Sequence, residues 1–152
     1  MKPLTRAIVW GGLVAGTGDL VFALSHYGMK LKVFQTVAAG LIGRDAAFSG
    51  GEATFALGVA LHYGISLIWA ALFCVAALRL PALLRNATAA GLAYGFVVYF
   101  GMNHVVLPLS ALHTPFWPPK LDAAAIAAHC FLFGFPIALA ARRVLLGGPK
   151  TA

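Results

Sequence analysis

Four uninterrupted apolar runs constrain this chain more than any other feature, because each reaches or exceeds the ~20 residues that an α-helix needs to cross a hydrocarbon layer roughly 30 Å thick. They cover about 7–27, 53–78, 87–109 and 123–146. The runs are continuous and rich in alanine, leucine and glycine, whereas a membrane β-barrel would show ~10-residue segments of alternating polarity. Composition supports the same solvent. Of 152 residues, 61% are hydrophobic and 10% are charged, against about a quarter charged in soluble domains. The predicted fold class is therefore all-α, a single domain over 1–152 that forms an integral membrane bundle of four transmembrane helices.

Lysine and arginine set the predicted orientation. With the N-terminus inside, the cytoplasmic side holds Lys2, Arg6, Arg79, Arg85, Arg142, Arg143 and Lys150 and no acid. The outer side holds Lys30, Lys32, Arg44 and Lys120 against Asp45, Glu52 and Asp122. This is the positive-inside pattern, and it puts both termini in the cytoplasm. The formal charge of +7 is spread over the ends of apolar runs instead of one segment, so nucleic acid is not an expected partner. Lys2 and Arg6 before an apolar stretch also resemble the start of a secretory signal, but the stretch continues to full span length, which favours an uncleaved first helix.

Between the first two spans, residues 30–43 place Phe34, Val37, Ala38, Leu41 and Ile42 at helical spacing, opposite Lys32, Gln35 and Thr36. A short amphipathic helix is predicted, either lying in the outer interface or packed on the bundle. Ser49 followed by Glu52 has the spacing of a capping box opening the second span, weakened by Gly50 and Gly51. Arg79 to Asn86, with Pro81, reads as a short inner turn. The loop before the fourth span carries Pro115, Phe116, Trp117, Pro118 and Pro119, which suits an aromatic interface anchor, and Asp122 is placed to cap the next helix. No internal repeat stands out.

Polar residues within the spans are the candidates for function. Asp19 lies about 12 residues into the first span, where a carboxylate must be paired, protonated or wet. Gly12, Ala15 and Gly16 precede it at spacings of seven, four and three, so it should share a small-residue face that a neighbouring helix approaches closely. At ~1.5 Å per residue, Asp19, His62, Asn103, His104 and His129 fall roughly 6 to 14 Å below the outer surface. His26 and His113 fall at the outer boundary. Cys74 and Cys130 lie roughly 20 Å apart in depth at ~1.5 Å per residue, too far to bridge.

Three readings of the cluster compete. Neutral histidine, asparagine and carboxylate can tie helices together as a hydrogen-bond network. A histidine beside an acid can instead bind or conduct a proton or small polar solute from the outer side. Finally, His62 and His129, or these with His104, could ligate a metal or a b-type haem; no metal site or cofactor is assigned, since no closely spaced ligand motif and no Cys-x-x-Cys-His occurs. Pro136 can kink the fourth span near Gly134 without any functional role. Tyr63, Tyr94 and Tyr99 read as packing residues.

The segments Val14-Ala15-Gly16-Thr17-Gly18-Asp19, Ala56-Leu57-Gly58-Val59-Ala60-Leu61-His62 and Met102-Asn103-His104-Val105-Val106-Leu107-Pro108-Leu109-Ser110 resemble a group of small, uncharacterised bacterial inner-membrane proteins. More distantly, the stretch from His62 through the proline-containing loop to His129 is similar to YagU-like proteins. The resemblance implies a bacterial inner membrane and a four-helix fold, and it implies no activity. Beside a binding or permeation role, the small-residue faces leave room for a non-catalytic accessory subunit, in a homo-oligomer or a larger membrane assembly.

Overall fold

A computed structural model describes residues 1–28, 32–115 and 121–147, and they are helical almost throughout. In chain order the elements are α1 (Pro3–His26), α2 (Lys32–Ile42), α3 (Arg44–Ser49), α4 (Gly51–Arg79), α5 (Ala82–Arg85), α6 (Ala87–Leu109) and α7 (Ala123–Leu146). Four of them, α1, α4, α6 and α7, are long and apolar enough to cross a membrane. Large apolar side chains stand on their outer surface, among them Trp10, Val21, Ile68, Leu72, Val97 and Phe131. The amphipathic segment is helical as predicted. It packs on α4, where the Phe34 carbonyl sits against Gly58 at a separation no Cβ could share. Its buried stripe differs from the predicted one: Leu41 and Ile42 are exposed, whereas Ala39 is buried with Ala38 against Ala47 of α3.

Two local expectations are corrected. Ser49 does not cap α4. Its hydroxyl turns back to the Asp45 carbonyl at 2.7 Å and so closes α3, and α4 follows Gly50 with no side-chain cap. Thr54 supplies a different lock, donating to the Ala47 carbonyl at 2.7 Å across the α3–α4 junction. The inner turn contains a helical turn of its own, α5, started by Pro81. Asp122 does cap α7: its Oδ1 accepts the Ala125 N–H at 3.0 Å.

The apolar core fills the end of the bundle that holds the N-terminus. Ala7, Ala70, Phe73, Cys74, Ala77, Leu84, Ala87, Ile137, Ala138 and Ala141 are its buried members. Alanine and glycine dominate the contacts because the helices approach backbone to backbone. On α1, Gly12 faces Leu67 and Gly16 faces Ser66 of α4, while Gly11 faces Ile137 and Gly18 faces the Leu132 carbonyl of α7. Gly91 and Gly95 of α6 meet Gly134 and the His129 carbonyl of α7 with no room for a side chain.

Both α6 and α7 contain one widened π-helical stretch, Met102–Val106 and His129–Gly134. Each ends two residues before a proline, Pro108 and Pro136. A proline lacks the N–H that its helix would use and presses on the carbonyl four residues back, and a wider turn relieves both defects. The expected distortion near Gly134 is thus an inserted residue, which turns everything beyond it by about 100° relative to a regular helix.

Candidate functional site

Above the apolar core the packing opens into a cavity of about 150 Å³ whose walls include Asp19, His62, Ser66, Trp69, Met102, His129 and Phe133. The structure therefore brings Asp19, His62 and His129 together, from α1, α4 and α7. It leaves Asn103 and His104 out of that wall. Asn103 donates from Nδ2 to the Tyr99 carbonyl one turn back, at 2.9 Å. His104 stacks on Phe100, with ring centres 5.4 Å apart and planes at 17°, and its Nε2 is buried with no partner among the described residues. Both lie in the π stretch of α6, so the depth that placed them with the others was no guide to their direction.

Backbone carbonyls fix the histidines. His62 Nε2 lies 2.8 Å from the Gly16 carbonyl, a contact that the missing side chain of Gly16 permits. His129 Nδ1 lies 2.8 Å from the Ala125 carbonyl of its own helix. A carbonyl oxygen only accepts, so in both contacts the ring nitrogen carries the hydrogen. Neutral His129 then has its bare lone pair on Nε2. That nitrogen stands 3.8 Å from Asp19 Oδ1, with side-chain exposures of 17% and 21%. A carboxylate facing a bare lone pair is repulsive. The contact becomes attractive when one proton lies on either side of it, on the carboxyl or on the imidazole. The separation exceeds a hydrogen bond and is closed by a small rotation of Asp19 or by one bridging water.

A second pair stands at the outer end of the same two helices. His26 Nε2 lies 3.6 Å from Asp122 Oδ2, with exposures of 38% and 24%. The Tyr27 hydroxyl donates to the same oxygen at 3.3 Å. The Ala125 N–H above all, with Tyr27 and His26 behind it, holds the Asp122 carboxyl below the usual carboxylate range. Tyr99 links the two levels. Its hydroxyl accepts the Asp122 N–H at 3.0 Å, and its ring meets His129 edge-on at 5.4 Å.

Sequence reasoning missed the outer pair and Tyr99, although a signal for the pair was present. Aspartate precedes histidine by seven residues on both helices, Asp19 to His26 and Asp122 to His129. Seven residues are about two turns, so each couple lies along one helix face. Run antiparallel, two such helices pair reciprocally, deep aspartate with deep histidine and outer histidine with outer aspartate. Trp69, Met102 and Phe133 had no comparable signal.

Among the described residues no three His, Cys, Asp or Glu side chains stand together as a metal site. The cavity has room for about one six-membered ring and not for a macrocycle. Compared with known proteins, the chain matches no known family, no curated protein and no solved structure.

Proposed function

We propose that this chain is a multi-pass protein of the bacterial inner membrane, with both termini cytoplasmic, that holds an exchangeable proton between Asp19 and His129. The four long helices with apolar surfaces and the distribution of lysine and arginine support the location. One observation carries the site: the Ala125 carbonyl takes the Nδ1 hydrogen of His129 and turns the opposite nitrogen toward Asp19. A proton placed between the carboxyl and that nitrogen turns a contact of two lone pairs into a hydrogen bond. The second pair and the Tyr99 hydroxyl stand at the end of the helices beyond this level, and exchange is assigned to that side. His62, across the cavity, is the third titratable group at this depth.

Nitrogen-15 NMR of histidine-labelled protein in nanodiscs tests the reading. In the wild type, His129 should show a protonated Nδ1 and an Nε2 signal shifted by a shared proton. In Asp19→Asn the amide donates to Nε2 without a transferable proton, and that signal should move to a plain hydrogen-bonded acceptor. Identical His129 signals in the two folded proteins would remove the site. The topology has its own check: reporter fusions at Lys120 and Lys150 should give opposite periplasmic and cytoplasmic signals, and equal signals would exclude four spans.

A further inference from the structure

The polar cavity has a neighbour. A second cavity of about 290 Å³ lies beside it under α2, and Val37, Ile65 and Met102 are walls of both. Its remaining surface is nearly all apolar, with Gly40 and Leu41 from α2, Leu61 from α4 and Val106 and Leu107 from α6. A small hydrophilic solute would gain nothing from that compartment and would lose its hydration beside it. A bare acyl chain would suit it, but would leave Asp19, His62 and His129 facing hydrocarbon.

We infer that the two compartments together bind a membrane-dissolved quinone, its ring among Asp19, His62 and His129 and its apolar tail under α2. The inference rests on the proton-sharing reading of Asp19 and His129. Three observations select this class. The polar compartment, at about 150 Å³, is the size at which a protein cavity takes up one six-membered ring. Its aromatic and thioether walls, Trp69, Phe133 and Met102, suit the faces of a flat ring. Its polar groups match the ring oxygens: the proton held by Asp19 and His129 supplies a donor to a quinone carbonyl, while His62, whose Nε2 hydrogen is taken by Gly16, offers Nδ1 as an acceptor to a hydroxyl of the reduced quinol. Met102 stands between head and tail. Its sulfur is held by the Trp69 indole N–H at 3.3 Å, a weak contact on a flexible side chain that can move aside for a ligand.

Trp69 provides the readout, because quinones quench indole fluorescence on contact. The protein would carry Trp10→Phe and Trp117→Phe so that Trp69 alone reports. It would be titrated in nanodiscs with a tail-less dimethoxy-methyl-benzoquinone and with its decyl homologue. Saturable quenching by both is expected, and Asp19→Asn should weaken both. Gly40→Leu places a side chain in the tail compartment; a Cβ at Gly40 meets only Ser110, at ordinary contact distances of 3.8 and 3.9 Å. It should weaken the decyl compound about tenfold relative to wild type and leave the tail-less one unchanged. Comparing each compound with itself across variants cancels its partition into lipid. Leu61→Phe, which narrows the same compartment and is read by the same Trp69 quenching, serves if Gly40→Leu loses helix content. Unsaturable quenching, or equal effects of Gly40→Leu on both compounds, would overturn the inference. A shared proton seen by NMR without saturable quenching would overturn it while leaving the proton site standing.

Discussion

The deep and outer carboxylate–histidine pairs use the same residues at the same spacing on the same two helices, yet they are held differently. Asp19 and His129 sit in a cavity, with the imidazole fixed by a backbone carbonyl. Asp122 receives the Ala125 N–H and the Tyr27 hydroxyl, and His26 stacks on Phe22 with centres 4.9 Å apart. The outer carboxylate is thereby stabilised in its charged form by hydrogen bonds that owe nothing to histidine. The deep one faces a histidine ring nitrogen at 3.8 Å. Position along a helix, more than residue type, separates a capping aspartate from one that lines a cavity.

The largest expected effect breaks both pairs at once. A Cβ at Gly18 would stand 2.7 Å from the Leu132 carbonyl, a backbone atom that cannot turn away. Gly18→Val should push α1 off α7 and destabilise the protein by about 1–3 kcal/mol, measured by reversible unfolding in mixed micelles. Gly64→Ala, where a Cβ meets nothing within 4 Å, is the matched control. Equal stability of the two variants would show that the helices do not meet as described.

Next in size is the cap. Asp122→Ala should lower the stability measurably, and Asp122→Asn, which still accepts the Ala125 N–H, much less. If both variants lose the same amount, the contact with His26 and Tyr27, not the cap, is what Asp122 contributes.

The smallest effect is a pH dependence confined to the outer pair. The folded protein holds the Asp122 carboxyl below its usual value, so the folded state favours its ionised form. That contribution is complete above the unfolded-state value of about 3.9 and disappears as pH falls through the lower folded value. Unfolding between pH 6 and pH 3 should therefore show a steeper acid loss in wild type than in Asp122→Asn. Parallel curves would mean that Asp122 titrates alike in both states.

Several features were legible from residue order. The lengths and positions of the four long helices follow from the apolar runs, which differ from the helices by a few residues at most. The α2 helix, the Asp122 cap and the inward direction of Asp19 followed from periodicity and small-residue spacing. Asn103 and His104 show where such reasoning stops, since a π turn ahead of Pro108 redirects side chains that regular 3.6-residue counting places elsewhere. Ser49 shows it on a smaller scale: its hydroxyl found the Asp45 carbonyl before it could find α4.

The sequence by itself determined that four helices of this length would form, and that aspartate and histidine would lie two turns apart on the first and last of them. Only the tertiary structure decided that these two helices, antiparallel already by the span count, pack side by side, and so which aspartate meets which histidine. It also decided which ring nitrogen faces the carboxylate. The physical reason is that apolar periodicity is a property of one helix, whereas a tautomer is set by whichever carbonyl stands within hydrogen-bond reach. For His62 that carbonyl belongs to Gly16, on another helix brought close by a residue with no side chain.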